Sequence, residues 1–445
     1  MRKIFSVPFA LLLVASLGPV MSLGLVTAAT EVPGTTTWYV SEGGAGAQDG
    51  SNWSNAFPAI QEAIDAAGSG NTIMVAVGTY AAFQVIEKNN IHVIGAEGAT
   101  VTTTNLYTAL PVVGNAWVLA AVYDSEDVNI EGINFDGTGV SGKPVVVGIA
   151  YVDSTGRIAD LTVENVIATS LGAGVAIIGH TRTSAVEMTR AAISNNDNAG
   201  IYVCGGSALE AHFNKIAGNA ECGLLNDGGK RVDATGNWWG HKSGPRHETN
   251  LLGMGDVVVG DADFDPWLEA ETVTGKIIGG GIVDAIKEAD TEVMVDGTAT
   301  VTVAKSTGNP GGDPPGNTTA LDRYIDVHIS SRTEVEEIEI RHYYTDDDVK
   351  DYVGDFDETD VRNYLRLRWW NGIEWRLYSD GGANTDSTGE YAGYIWAKVR
   401  ANTEPSLTDL TGTWNGAFWE GPTNIPDGGI CFIATAAYGT DTAKE

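Results

Sequence analysis

The chain reads as all-β: a parallel β-helix over residues 37–268, then an Ig-like β-sandwich over 271–422. Three observations predict this. The middle of the chain repeats every 23 residues, and within each unit the apolar residues alternate in short runs broken by Asn and Gly. After Leu268 the repeat gives way to longer, strictly alternating runs separated by Gly/Pro-rich loops. At 445 residues, 43% hydrophobic and 19% charged, the chain can fill more than one core and is too apolar to remain disordered.

Residues 1–29 are set apart from the fold. Arg2 and Lys3 precede an apolar stretch from Ile4 to Val26, and the small residues Thr27-Ala28-Ala29 follow, the pattern of a secretory signal peptide. No later stretch reaches spanning length, so no transmembrane helix is expected once the signal is removed, and the mature protein is expected to be secreted or on the cell surface. The three cysteines, Cys204, Cys222 and Cys431, form neither a disulfide framework nor a metal-ligand spacing.

Next comes an end cap. In Pro58–Ala67, Ile60, Ala63, Ile64 and Ala67 share one helical face, Pro58 stands near the first helical position and Gly68 stops the helix, which suits it to plug the open end of an apolar stack. The repeats follow. Val186 aligns with Leu209 and Val232, Met188 with Ala211 and Ala234, and Ile193 with Ile216 and Trp239. No unit keeps i, i+3, i+4 spacing for ten residues, so the repeats are strands and turns rather than helices. Asn196 falls on Asn219 and Asn214 on Asn237, where an Asn tolerates left-handed backbone and can bond its equivalent one coil on.

Trp38–Ser41, Asp49–Trp53, the plug helix and Asn71–Tyr80 resemble the amino-terminal portion of pectin-lyase-like right-handed β-helix proteins. Gly236–Gly240, Ser243–Pro245 and Phe264–Leu268 resemble the closing segment of secreted parallel β-helix repeat proteins. The resemblance covers residues 37–268 and implies a right-handed parallel β-helix. It does not fix an activity, because that superfamily includes polysaccharide lyases, hydrolases, epimerases and proteins without known catalysis.

The formal charge, 26 Lys and Arg against 58 Asp and Glu, is −32, which argues against binding nucleic acid or anionic lipid. Polysaccharide or cell-envelope components are the expected partners. A lyase of this kind needs a cationic base beside carboxylates that hold Ca²⁺; His180, Lys215, Asp227, Lys230 and Arg231 are the catalytic candidates. The acid cluster such chemistry needs is missing from the repeats, so the expected function is glycan binding or envelope structure without catalysis. The alternative is a lyase or hydrolase acting on acidic polysaccharide with Ca²⁺. Asp261, Asp263 and Asp265 follow a strand-like run and are the candidate metal ligands, with Ca²⁺ the possible cofactor; alternate aspartates are also what the solvent face of an edge strand carries. Trp238 and Trp239 read as cap packing.

In the second domain strands are expected at 298–303, 325–329, 335–344, 364–370, 375–378 and 391–399, with Asn371-Gly372 turning a hairpin. Trp369, Trp370 and Trp375 are candidates for a carbohydrate platform, against the simpler reading of hairpin core. Asp346–Asp348 and Asp355–Glu358 read as solvated loops. Residues 423–445 form a linker and a segment, Ile430–Thr440, similar to a Cys-Phe-Ile-Ala-Thr-Ala-Ala-Tyr-Gly motif near the ends of many microbial surface proteins. That similarity makes Cys431 the candidate for surface attachment.

Overall fold

A computed structural model describes residues 36–423. The signal-like segment and the Cys431 motif lie outside the described residues. Three parallel sheets wind around one apolar core, which makes residues 37–268 a parallel β-helix. In the first two sheets the strands stack in chain order, and in the third they do so up to Gly255–Val259, with Pro245–Arg246 added beyond it. The first runs from Thr37–Val40 through Thr155–Ala159, Ala185–Thr189 and Ala208–His212 to Ala262–Asp263. The second runs from Gly78–Ala81 to Lys215–Ala217, and the third from Phe83–Ile86 to Gly255–Val259.

The 23-residue register is found in the pairing: Val186 opposite Leu209, Met188 opposite Ala211, Ile193 opposite Ile216 and Ile201 opposite Leu224. Because strand side chains alternate, these rows point inward and are buried while their neighbours point out. The plug helix, α1 (Ile60–Ala66), buries Ile60, Ala63 and Ile64 over the first coil. Its C-terminal carbonyls are held by Lys88, whose Nζ donates to Ile64, Asp65 and Ala67 oxygens at 2.7, 3.2 and 2.6 Å, a cation placed where the helix dipole favours one. At the far end Trp239 is fully buried, continuing the Ile193–Ile216 row.

Two polar ladders hold the corners. Asn196 Nδ2 donates to Asn219 Oδ1 and Asn214 Nδ2 to Asn237 Oδ1, each at 2.9 Å. The left-handed backbone sits one residue earlier than expected, at Asn195, Phe213, Gly218 and Gly236, so the ladder asparagines supply hydrogen bonds and their predecessors make the bend. The Asn196–Asn219 ladder ends on Asp256, which accepts from Asn219 Nδ2 at 2.9 Å. At the turn from the third sheet to the first, Ser125 N donates to Ser154 Oγ and Ser154 N to Ser184 Oγ, both at 3.1 Å.

Residues 273–419 form an antiparallel domain whose nine strands belong to one sheet. Two long strands, Thr291–Ser306 and Thr319–Tyr344, run through both of its layers. The first half of Thr291–Ser306 pairs with the second half of Thr319–Tyr344 and its second half with the first, with register shifts between. Gly297 sits at one shift with φ +129°, where a Cβ would lie 2.3 Å from the Glu334 carbonyl oxygen. The sheet folds over there, and one core holds residues of both halves, Val293, Ile338 and Ile395 with Val301, Val327 and Leu367. Both layers are thus halves of a single sheet rather than the two stacked sheets an Ig-like sandwich suggests.

Asp346–Asp348, read as a loop, open the helix Asp346–Val353, whereas Asp355–Asp357 are a loop that leads into a second helix, Glu358–Tyr364. Thr345 with Asp348, and Asp357 with Asp360, form capping boxes, so these acids satisfy helix N-termini. The two domains meet through an apolar joint. Phe213, Trp238 and Leu268 pack against Ala304, Tyr324, Trp414 and Phe418, with Phe213 and Trp414 ring centroids 5.1 Å apart.

Candidate functional site

The catalytic candidates do not converge. Lys215 lies on the second sheet, Asp227 at the end of the third, Arg231 at the start of the first, and His180 and Lys230 in turns between the third and first. Four of them, His180, Asp227, Lys230 and Arg231, lie at the turn from the third sheet to the first, while Lys215 lies apart on the second sheet, so no common substrate atom can meet all five. Each candidate also has a local structural setting. Lys215 Nζ donates to Glu271 at 2.8 Å across the domain joint, and Tyr202 donates to Asp227 at 3.4 Å. The Lys230 amide donates to the Ser207 carbonyl at 2.9 Å.

His180 belongs to a turn built on a buried carboxylate that sequence reasoning did not pick out. Asp153 accepts the backbone N–H groups of His180, Thr181 and Arg182 at 2.7–3.1 Å and the Thr181 hydroxyl at 2.7 Å. Burial alone would raise its pKa, but these donors together hold it at about 2. The Gly179–Arg182 sequence is thereby explained as a turn.

The remaining candidates sort by exposure. Trp369 and Trp375 are 8% and 2% exposed, and Trp375 Nε1 donates to the Gly312 carbonyl at 2.8 Å. Trp370 packs on Trp375 and over Gly311 and Gly312. These rings therefore pack the domain instead of presenting an open platform. Among the described residues no group of three His, Cys, Asp or Glu side chains gathers as a metal site, Asp261, Asp263 and Asp265 included.

What the structure does assemble is the outward face of the first sheet. Asn129 pairs with Arg157, Arg157 with Glu187, Glu187 with Glu210, Glu210 with Asp233 and Asp233 with Asp263, one residue per coil. A neighbouring row runs Thr155, Ala185, Ala208, and its small side chains leave a groove of about 400 Å³ between Asp127, Arg157, Glu187 and Glu210. A second groove of about 1430 Å³ continues at the end of the same face, lined by Arg231, His247, Asp261, Asp263, Asp265 and Trp267 among others. Arg231 and the three aspartates thus do share a surface, on and beside the last two strands of the first sheet, Val232–Asp233 and Ala262–Asp263.

Charge on this face is only partly balanced. Arg157 lies 3.8 Å from Glu187 and Arg231 3.3 Å from Asp263. Glu131, on the adjacent outward row, has its pKa raised, first by burial and then by Asp160; that of Asp265 is raised by burial and by Asp263. Buried Phe264 backs Trp267 in a tilted contact at 6.4 Å and His247 edge-on at 5.0 Å, so Trp267 and His247 are the rings that border the larger groove. The row Glu187, Glu210, Asp233 was legible: the register that places Val186, Leu209 and Val232 inward puts these three outward. His247 and Trp267 carry no such signal, because the closing segment leaves the repeat.

No family model matches the chain, and no curated protein matches it. Two solved structures show some likeness. A pectate lyase, Pel9A, is 11% identical over 52% of this chain and 79% of its own, with a TM-score of 0.21. ORF18 of Geobacillus virus E2 is 12% identical over 62% of this chain and 71% of its own, with a TM-score of 0.20. Among the described residues no helix is long and apolar enough to cross a membrane.

Proposed function

We propose that this protein is an exported β-helix protein that binds glycan along the outward face of its first sheet and does not cleave it. The observation that carries the reading is the run of polar side chains, one per coil, bordering two grooves on a single flat face. Coils repeat at about 4.8 Å, so an extended polymer lying along the axis meets a hydrogen-bonding group at every step. Trp267 adds apolar surface at one end, the usual complement to polar groups in a sugar site.

Carboxylates outnumber cations on this face, so neutral polymers are favoured and polyuronates are repelled unless Ca²⁺ bridges them. The second reading, a lyase or hydrolase that uses Ca²⁺ on acidic polysaccharide, rests on that condition. Purified protein is incubated with neutral glycans, polygalacturonate, alginate and chondroitin, with and without Ca²⁺. Retention on immobilised glycan with no unsaturated product and no new reducing end is the expected result. Turnover abolished by Arg231→Ala would establish the enzymatic reading instead.

A further inference from the structure

The joint between the domains contains a carboxylate that its surroundings do not satisfy. Asp326 lies on the strand Thr319–Tyr344, between Ala304 and Trp414 of the neighbouring strands. By strand alternation it shares the face of Tyr324, which with Ala304 and Trp414 packs on Phe213, Trp238 and Leu268 of the β-helix. Asp326 is 1% exposed, and its Oδ1 has no hydrogen-bond partner among the described residues. The titratable and charged groups around it can be named. On its own strand these are Tyr324 and His328, and Tyr378 approaches from beside strand Trp375–Leu377. From the β-helix comes Arg190, whose guanidinium is already engaged by Asp160 at 2.7 and 3.0 Å. The strands on either side offer only Thr302, Ala304, Ser306 and Trp414 to this face.

We propose that Asp326 is a pH-dependent latch: as a neutral acid it is accommodated in the dry joint, and on ionising it drives the antiparallel domain off the β-helix. An unpaired carboxylate in an apolar interface is costly, and the cation that opposes this, Arg190, is shared with Asp160. Burial pushes the Asp326 pKa up to about 8, with Arg190 opposing. The docked form therefore keeps a proton that the separated form releases. Docking is strongest near and below the ordinary carboxylate pKa and weakens, by about tenfold per pH unit, as pH rises towards 8.

The test uses the whole chain, measuring radius of gyration by small-angle X-ray scattering and cleavage in the connecting residues 269–272, from pH 5 to 9.5. Wild type is expected to open and be cut at least tenfold faster at pH 9 than at pH 6. Asp326→Asn and Asp326→Leu, two replacements so that a folding failure in one leaves the other, should stay closed throughout. Arg190→Gln, which removes the opposing cation, should leave the ionised docked form less favourable and so make the opening at high pH more complete, with its midpoint no higher than in wild type. A wild type that stays closed to pH 9.5, or Asp326 variants that open at the wild-type pH, would overturn the latch.

Discussion

A carboxylate that accepts three backbone amides and a hydroxyl leaves no room for an amide nitrogen, so Asp153→Asn turns acceptor positions towards donors. With the Asp153 pKa near 2 against an ordinary 3.8, the group contributes about 2.5 kcal/mol to folding at neutral pH. That contribution is complete above about pH 4 and is lost as pH falls through 2. Urea unfolding should show Asp153→Asn destabilised by about 2–3 kcal/mol at pH 7, with the gap to wild type closing towards pH 2. An unchanged gap at low pH would mean the turn is held by something else. At this scale the sequence was least readable: His180 drew attention as a lone imidazole, whereas the residue that matters to its turn stands 27 positions earlier. The serine ladder was missed for the same reason, since its partners come from coils whose lengths depart from 23 residues, and Lys88 was missed because its partners are carbonyls at the end of the plug helix, outside the repeat.

The repeat units were readable because strand alternation and a fixed period leave one register that buries every apolar row. Ile216 is fully buried in that register, so Ile216→Asp should cost several kcal/mol, on the order of 3–5, while Lys230→Ala on the exposed turn should be nearly silent. Similar thermal midpoints for the two variants would contradict the register. The ladder gives a second test: Asn219 accepts from Asn196 and donates to Ile193 and Asp256, so Asn219→Ala should lose about 1–3 kcal/mol. Calorimetry would check this, and a loss below a few tenths would leave the ladder ornamental. The second domain was less legible. Thr319–Tyr344 reads as two strands because its bend interrupts the alternation, and Asp346–Asp348 read as a loop because their role is to open a helix only two turns long.

Over the whole molecule, function depends on which side chains the winding puts on one face. Five candidates chosen by residue type fall on three sheets or their turns, whereas Arg157, Glu187, Glu210, Asp233 and Asp263, chosen by register, fall on one. If that face binds glycan, Glu210→Ala should weaken retention on the preferred polymer at least fivefold without moving the thermal midpoint, and Trp370→Ala should not weaken it. The most direct measurement is hydrogen–deuterium exchange of the full chain with and without a retained glycan. Binding at the first-sheet face predicts new protection in residues 155–159, 185–189 and 208–212 and in the closing segment 259–267. Protection confined to the antiparallel domain or to the second and third sheets would contradict it.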